Sequence, residues 1–344
     1  MAYDDETNER LWLAEFGRSI TQDALEMADG LKTAEIAGMA ECYLAILIDQ
    51  PSRSRETLTL AQAGERLATK LITRKAQGSL VTGLPAIDEH SVALRGGSLI
   101  ALAGSDRAIS SALATTIATT LAHTLWQDRM KDRMPSESRG AAVAYFSLRL
   151  SADFIALSTL KQLTSQNGEH LMTLSTPEGR AALKAACHKF SALPLFLEED
   201  AELSLMQMLA RSRTLIRRHD TRLIVVDDIG LLRECQCDTY QANSKSRKLR
   251  QLKSMAELNN VAVIALCPQG DSNDMDQVPE LLKFADEVWI AGPSNRSAPL
   301  RPNSGRLWEQ EIAFTVVDPL FGASGRTSLK IDVDIGYACE MPKE

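Results

Sequence analysis

The sequence predicts an α/β protein in which helices cover a parallel β-sheet and a helical extension precedes it. Two observations support this fold class. From Gly78 onward, short apolar segments alternate with helical patterns, which is typical of parallel strands buried on both faces. Before that point, over residues 1–77, apolar side chains recur at helical spacing. We therefore expect a helical extension over 1–77 and an α/β domain over 78–344.

The helical extension has a break at Gln50–Ser54, where a proline interrupts the pattern. Beyond the break, one more helix is predicted from about Thr57 to Thr73. Two interpretations of the extension remain open. It is either a small helical cap that packs on the following domain, or an interaction arm that contacts a neighbouring subunit.

Six short apolar segments are predicted as the strands of the sheet. In chain order they are Ser98–Ala103, Ala141–Leu148, Pro194–Glu198, Leu223–Asp227, Val261–Leu266 and Glu287–Ala291. A long helix rich in Ala, Thr and Leu is expected after the first strand, from about Ser110 to Trp126. Beyond Pro302, residues 311–317 and 327–333 alternate between polar and apolar, which indicates a terminal antiparallel pair.

Composition and charge limit the class of protein. The 344 residues are 44% hydrophobic and carry a net charge of −7, which is too acidic for a protein that coats nucleic acid by charge alone. We find no run of about 20 apolar residues and no secretory signal, so we expect a cytoplasmic protein without a membrane segment. The six cysteines match neither a disulfide framework nor zinc-site spacing, and we expect no metal bound by them.

The first predicted strand leads into a segment with the frame of a phosphate-binding loop but without its chemistry. Such a loop reads Gly-x-x-x-x-Gly-Lys-Ser/Thr, and here the eight residues are Gly104-Ser-Asp-Arg107-Ala-Ile109-Ser110-Ser111. Ile109 replaces the second glycine, and its branched side chain opposes a close backbone approach. Ser110 replaces the lysine that contacts phosphates, whereas Ser111 keeps a hydroxyl suited to magnesium. Taken alone, this segment indicates no more than a strand-to-helix turn.

Further segments resemble the RecA-like motor domain of the DnaB-type replicative helicases, over roughly residues 80–335. They are Thr82–Asp88, Arg95–Gly104, Tyr145–Ala152, Arg222–Leu232, Arg247–Leu266 and Ala285–Ile290, and they follow one another in the order and spacing of that family. The resemblance implies a RecA-like, P-loop-type sheet with ATP and magnesium as ligands. It also implies that Asp227, at the end of an apolar strand, is the carboxylate on the magnesium side of the site.

The sequence departs from this family where the chemistry is expected. Arg149 stands where the resemblance implies a glutamate that positions the attacking water, and Gln269 comes one position later than a sensor glutamine. A Lys-x-Arg pair that reaches a neighbour's γ-phosphate would fall near Asp318 and Leu320, and neither cation is present. Because phosphoryl transfer depends on positioning and charge stabilisation, these losses predict a site that does not hydrolyse ATP. The alternative is that Arg107 and Arg149 replace the lost cations.

The remaining candidate site is a basic strip, which we define as Lys245, Arg247, Lys248, Arg250 and Lys253. Charge runs usually form a solvated helix face, and we favour that interpretation. The alternative is a weak contact with the backbone of single-stranded DNA. No aromatic residue lies within the strip, so base stacking has no platform there.

The sequence therefore predicts a catalytically degenerate relative of the DnaB helicases, a pseudo-ATPase that acts as a structural or regulatory partner in DNA replication or mobile-element maintenance. We assign no catalytic residue and expect no cofactor, with ATP and magnesium binding left as the open alternative. The expected partners are further copies of the chain, or an active helicase or another replication protein. A divergent but active ATP-dependent DNA helicase, and a DNA-binding protein that never meets nucleotide, are the competing functions.

Overall fold

The structure is a computed structural model that describes most of the chain between residues 80 and 340. The described ranges are 80–91, 94–131, 141–164, 192–233, 244–268, 278–294, 309–318, 322–332 and 336–340, with scattered residues in 59–68 and 180–188. The chain divides into two compact units, and the elements below all belong to the one formed by Thr59–Leu232 and Asn243–Glu344.

Some of the sequence predictions fall outside the described residues. Gln269 and Leu320 are among them, so the roles discussed for these positions stay predictions. The predicted extension over 1–77 is also outside, apart from positions within 59–68, where residues 60–62, 64, 65 and 68 are helical.

In the described part of the chain, nine strands form one sheet in the order β3-β2-β4-β5-β1-β6-β7-β8-β9. They are β1 Leu99–Gly104, β2 Ala142–Ser147, β3 Leu195–Glu199, β4 Thr221–Asp227, β5 Ala262–Pro268, β6 Glu287–Pro293, β7 Glu309–Asp318, β8 Gly322–Asp332 and β9 Tyr337–Glu340. The first six pair in parallel, which confirms the predicted parallel sheet. The last three extend it antiparallel from β6, so the predicted terminal pair is joined by a third strand.

Among the described residues, one α-helix precedes β1 and five lie between the strands. They are α1 Pro85–Asp88, α2 Arg107–Met130, α3 Ala152–Thr164, α4 Leu205–His219, α5 Ser244–Asn259 and α6 Val278–Leu281. None of these helices combines the length and hydrophobicity that a membrane span requires. The start of α4 shows how the sequence sets a helix boundary. Ser204 accepts from the Gln207 backbone amide while the Gln207 side chain accepts from the Ser204 amide, which satisfies two donors that the first turn leaves open.

The core lies on both faces of the sheet, because every residue of β1 and β2 is buried. The largest fully buried side chains include Trp289 on β6 and Phe314 on β7, whose rings meet edge to face with centroids 5.7 Å apart. Burial of aromatic surface of this size stabilises the junction between the parallel and antiparallel parts. The sheet is thereby a rigid frame for the loops that follow its strands.

Candidate functional site

The carboxyl ends of four parallel strands meet at one edge of the sheet, where α/β proteins bind their ligands. The strand register places Gly104 beside Pro268 and Ser147 beside Asp227. We call this region, with the residues that directly follow β1, β2, β4 and β5, the carboxyl edge. The sequence-predicted nucleotide residues all lie here, and the contacts below show which of them touch.

The prediction of an eight-residue loop over Gly104–Ser111 is wrong. Helix α2 begins at Arg107, so only Ser105 and Asp106 separate it from β1. The reason is the helix cap: the Asp106 carboxylate accepts from the backbone amides of Ala108 at 2.8 Å and Ile109 at 3.4 Å. Aspartate is among the best N-cap residues because it satisfies amides that have no partner within the helix.

This cap occupies the groups that a phosphate would use. The amides at a helix N-terminus, with the positive end of the helix dipole, form a ready anion site. Here the anion is the chain's own Asp106, and a phosphate would have to displace it against like charge. The structure therefore has the strand and helix of a phosphate-binding motif, with the amides of Ala108 and Ile109 already paired.

The three other motif positions serve packing. Ile109 is fully buried in the core beneath α2, and Ser110 is buried with its hydroxyl donating to the Asp106 carbonyl at 3.3 Å. A Cβ on Gly104 would lie 2.3 Å from the carbonyl oxygen of Ala291, so glycine is needed for β1 to lie against β6. Glycine at this position is therefore explained without a phosphate.

Asp227 lies at the centre of a buried hydrogen-bond chain. It is 1% exposed, and its Oδ2 accepts from the Tyr145 hydroxyl at 2.9 Å. Tyr145 accepts in turn from Thr115 at 3.4 Å. Beside this chain, Ser111 accepts from the Arg149 guanidinium at 2.8 Å. The structure thus brings two predicted residues, Ser111 and Arg149, into contact, and both lower the pKa of Asp227.

Tyr145 is a member of this network that sequence reasoning missed as a site residue. A tyrosine inside a buried strand needs a partner for its hydroxyl. Strand β2 is adjacent to β4 with Tyr145 opposite Val225, two residues before Asp227 and on the same face. The signal was available in the sequence, but it required the strand order, which spacing alone does not supply.

Burial dominates the electrostatics of the two adjacent carboxylates. Burial raises the pKa of Asp227, while hydrogen bonds from Ser111 and Tyr145 and the charge of Arg149 oppose the shift. The pKa of Asp228 is also raised by burial, against the Gly230 amide and the charges of Arg107 and Arg149. Burial and the neighbouring Asp227 charge raise the pKa of Tyr145 well above its usual value, so its hydroxyl remains a donor.

Arg107 and Cys267 complete the carboxyl edge. The Arg107 side chain is 59% exposed, and its Nε lies 3.6 Å from Asp228 Oδ2. Cys267 stands near the expected sensor position and is fully buried. Burial raises its pKa to about 12, with the Lys245 charge opposing and that of Asp228 adding. A buried neutral thiol cannot sense a phosphate as an amide does.

Two of the oxygens that the resemblance assigns to magnesium already accept hydrogen bonds within the protein. Magnesium requires open oxygen ligands in near-octahedral geometry. Ser111 Oγ is bound to Arg149, and Asp227 Oδ2 is bound to Tyr145. In addition, no group of three or more His, Cys, Asp or Glu side chains in the described ranges is placed to hold a metal ion.

The members of the basic strip differ in their surroundings on α5. Lys248 is buried, and the Lys253 ammonium is held by Asp286 at 2.6 Å and Glu257 at 3.3 Å. Arg250 is exposed, with its guanidinium 5.7 Å from the centre of the Phe284 ring. Lys245 and Arg247 are half-buried. DNA binding by the strip stays a prediction, with Arg250 as its most accessible charge.

Asp318, one of the two positions where the Lys-x-Arg pair is missing, ends strand β7 and is buried. Strand β7 runs antiparallel to β6, with Val317 opposite Val288 near the start of that strand. Asp318 therefore lies at the opposite edge of the sheet from Asp227. The structure does not bring these two positions together within one chain.

Sequence comparison identifies relatives of the region just described. The sequence profile described as the DnaB-like helicase C terminal domain matches residues 79–281, more than half of the chain. The replicative DNA helicase DnaB of Rhodothermus marinus is 25% identical over 162 residues, which are 44% of this chain and 17% of that protein. DnaB of Rickettsia typhi is 25% identical over 126 residues, or 36% and 25% of the two chains. The chain thus spans about a quarter or less of the curated relatives it matches.

Two solved structures share the fold. A solved ATPase domain aligns with a TM-score of 0.62 at 15% identity, covering 83% of this chain and 99% of that one. A DnaB-like replicative helicase, reported with its interactions with primase, aligns with a TM-score of 0.63 at 16% identity and covers 98% and 78%. At such identities the likeness shows the fold alone, and it confirms the predicted RecA-like sheet.

Proposed function

The chain belongs to the DnaB-like helicase C-terminal domain family, and we propose that within this family it is a pseudo-ATPase. It neither binds nor hydrolyses ATP with magnesium, and it acts as a structural or regulatory partner in DNA replication or mobile-element maintenance. Its expected partners are further copies of itself, an active helicase or another replication protein.

The observation that carries this proposal is the Asp106 cap. Catalysis of phosphoryl transfer is mostly positioning and electrostatic stabilisation, and both begin with the amides and lysine that cradle the phosphates. Here Asp106 holds the amides of Ala108 and Ile109, and Ser110 lies buried in place of the lysine. A phosphate would therefore have to displace Asp106 from the amides of Ala108 and Ile109, and it would find no lysine at position 110.

A second contact supports the loss of hydrolysis. The position of the water-positioning glutamate is taken by Arg149, whose guanidinium donates to Ser111. A guanidinium accepts no hydrogen bond and does not lose its proton, so it cannot act as a base for the attacking water. The retained Asp227 is buried and already accepts from Tyr145 through Oδ2.

Calorimetric titration with ATP and magnesium tests the proposal, with phosphate release measured on the same sample. We expect no binding heat and no phosphate release above background, under conditions where an active DnaB helicase shows both. Sedimentation of the chain, alone and with that helicase, should reveal assembly that does not depend on nucleotide. Saturable ATP binding would support the competing function, an active helicase that uses Arg107 and Arg149 as its phosphate cations, and would overturn ours.

A further inference from the structure

The second half of helix α4 lies on the protein surface and is strongly basic. The first half packs into the core through Met208 and Leu209, whereas none of the residues from 213 to 219 is fully buried. From Arg211 to Arg222 the chain has five arginines and one histidine but only one acidic residue. This segment is therefore positively charged within a protein whose net charge is −7.

Three of these arginines have no ionic partner in the described part of the chain, and we call them the α4 arginines. They are Arg213, Arg217 and Arg218. The other two arginines of the segment are paired. Arg211 lies 3.0 Å from Glu198 and 3.0 Å from Asp200, and Arg222 lies 2.8 Å from Asp220. The α4 arginines are therefore available to a partner outside the chain.

The helix dipole accounts for part of this pattern. It favours cations in the last turn of a helix, where Arg217 and Arg218 lie. It does not account for Arg213, which precedes that turn. Arg217 Nε donates to the Arg213 carbonyl at 3.4 Å, and the two residues are four positions apart, which is about 6 Å along the helix axis. Arg213 and Arg217 therefore form a basic row along one side of α4.

The surroundings of this row favour a nucleic acid over a protein as its partner. The core of a protein–protein interface is apolar, and none of the large exposed hydrophobic side chains among the described residues lies on α4. A basic row along one helix is instead the usual footprint of contact with phosphates. The net charge of −7 does not oppose such contact, because charges more than about 10 Å away are largely screened at about 0.1 M salt.

The side chains available for base stacking decide between duplex and single-stranded DNA. Single strands are bound through aromatic side chains on which the bases stack. Every Phe, Tyr and Trp side chain of the described residues is buried or half-buried, and the His219 ring at the end of α4 packs on Phe196 with centroids 4.1 Å apart. In a duplex the bases are already stacked on one another, and two backbones supply phosphates along the same length. Backbone contact by arginines alone therefore suits a duplex.

We propose that the α4 arginines bind the phosphate backbone of duplex DNA without reading its sequence. Helix α4 leads directly into the start of β4 at Thr221, so these arginines lie toward the amino ends of the strands. The inference goes beyond the proposed function because it concerns a surface away from the carboxyl edge. ATP binding by the wild-type protein would end the pseudo-ATPase proposal and leave this one standing, and failure of duplex binding would do the reverse.

Replacing the α4 arginines by glutamine tests the proposal against a charge-matched control. The α4 variant is Arg213→Gln, Arg217→Gln and Arg218→Gln. In the control variant, exposed cations outside α4 are replaced, and the changes are Arg129→Gln, Lys131→Gln and Arg326→Gln. Both variants have the same net charge, because each loses three positive charges. Circular dichroism should show that both fold, since all the substituted side chains lie on the surface.

Fluorescence anisotropy with a labelled duplex of about 20 base pairs, over about 50 to 200 mM NaCl, measures the binding. Each phosphate contact contributes about 0.9 to the slope of log K against log salt concentration, so the slope of the α4 variant should be smaller in magnitude by about 2.7. Over this range the affinity of the wild-type protein should fall about 40-fold more than that of the α4 variant. The control variant should keep the wild-type slope, and an oligo(dT) of equal length should bind more weakly than the duplex.

Three results of this experiment would overturn the proposal. They are no duplex binding by the wild-type protein at about 50 mM NaCl, equal slopes for the two variants, or a single strand bound as tightly as the duplex. Sedimentation of the same proteins tests the protein alternative. If the α4 variant alone loses self-association while its duplex binding is unchanged, the α4 arginines join copies of the chain and do not bind DNA.

Discussion

Side chains of the protein pair with backbone amides at both ends of strand β1, although only the carboxyl end lies where α/β proteins bind ligands. At the amino end, the Asp286 carboxylate accepts from the Leu99 amide at 2.8 Å and from Lys253 at 2.6 Å, and Lys253 also donates to the Gly97 carbonyl at 2.9 Å. These bonds tie β1, β6 and α5 together. No ligand is expected there, because α/β proteins bind at the other edge.

At the carboxyl end of β1 the chain also satisfies its own groups. Asp106 accepts from the amides of Ala108 and Ile109, and Arg149 donates to the Ser111 hydroxyl. A working site keeps such donors and acceptors available for a ligand, at some cost in stability. At both ends of β1, therefore, an aspartate of the fold accepts from backbone amides.

The largest expected effect comes from Ile109. If the residues of the carboxyl edge stabilise the fold, a substitution that restores the phosphate-loop sequence should lower the free energy of unfolding. Ile109→Gly removes a fully buried side chain and places glycine in a helix, so we expect the free energy of unfolding to fall by about 4 kcal/mol. Urea denaturation followed by circular dichroism measures this change.

Ala108→Gly is the matched control for this substitution. It lies in the same helical turn but is only half-buried, so it should lose about 1 kcal/mol, the helix propensity alone. If the two variants lose similar amounts, Ile109 is not part of the core and the two ends of β1 differ more than we infer.

A substitution at the amino end of β1 should destabilise the fold nearly as much as Ile109→Gly does. Asp286→Ala leaves the buried Leu99 amide and Lys253 without this acceptor, and an unsatisfied buried amide costs about 2–3 kcal/mol. Asp286→Asn, which keeps an acceptor for the amide but loses the charge, should lie between the alanine variant and the wild-type protein. Thermal and urea unfolding of the three proteins provide the comparison.

The exposed ion pair between Glu280 and Lys283 provides a control in which a paired surface carboxylate is removed. Its members lie on the surface, where such pairs contribute little, so Glu280→Ala should leave the unfolding transition unchanged. If Glu280→Ala lowers the free energy of unfolding as much as Asp286→Ala does, the bonds of Asp286 contribute no more than a surface ion pair.

Much of the fold was predictable from the sequence because its signals are local. The six parallel strands are near-continuous apolar runs, and each lies within a few residues of its predicted bounds. Strand β9 was missed, since Tyr337–Glu340 is too short to show alternation and forms only by pairing with β8. The role predicted for Asp227, the last residue of β4, came from the family resemblance of the segment around it.

The state of the carboxyl edge was harder to predict. Counting residues against a motif places Gly104–Ser111 in a loop, whereas the helix start depends on Asp106, a cap residue that motif spacing ignores. The contact of Arg149 with Ser111 joins residues 38 positions apart. Such a contact depends on the order of the strands, and that order cannot be derived from apolar runs.

The smallest expected effect concerns the binding of single-stranded DNA by helix α5. Within this helix, some basic side chains are paired inside the fold and others are exposed. Lys253 belongs to the amino-end network, while Arg250 is exposed above the Phe284 ring. Each phosphate contact to a single strand contributes about 0.7 to the slope of log K against log salt concentration. If single-stranded DNA binds at all, Arg250→Ala should lower the magnitude of this slope by about that amount.

Fluorescence anisotropy with a labelled oligo(dT) over a series of salt concentrations measures the slope. Arg250→Lys should behave as the wild-type protein because it keeps the charge, and Lys253→Met should leave the slope unchanged because that ammonium is already paired with Asp286. Binding that survives high salt, or a slope that Arg250→Ala does not change, would exclude α5 as the DNA contact. The strip would then be a solvated helix face. Lys253 would stabilise the fold through Asp286, and the exposed Arg250 would contribute to solubility.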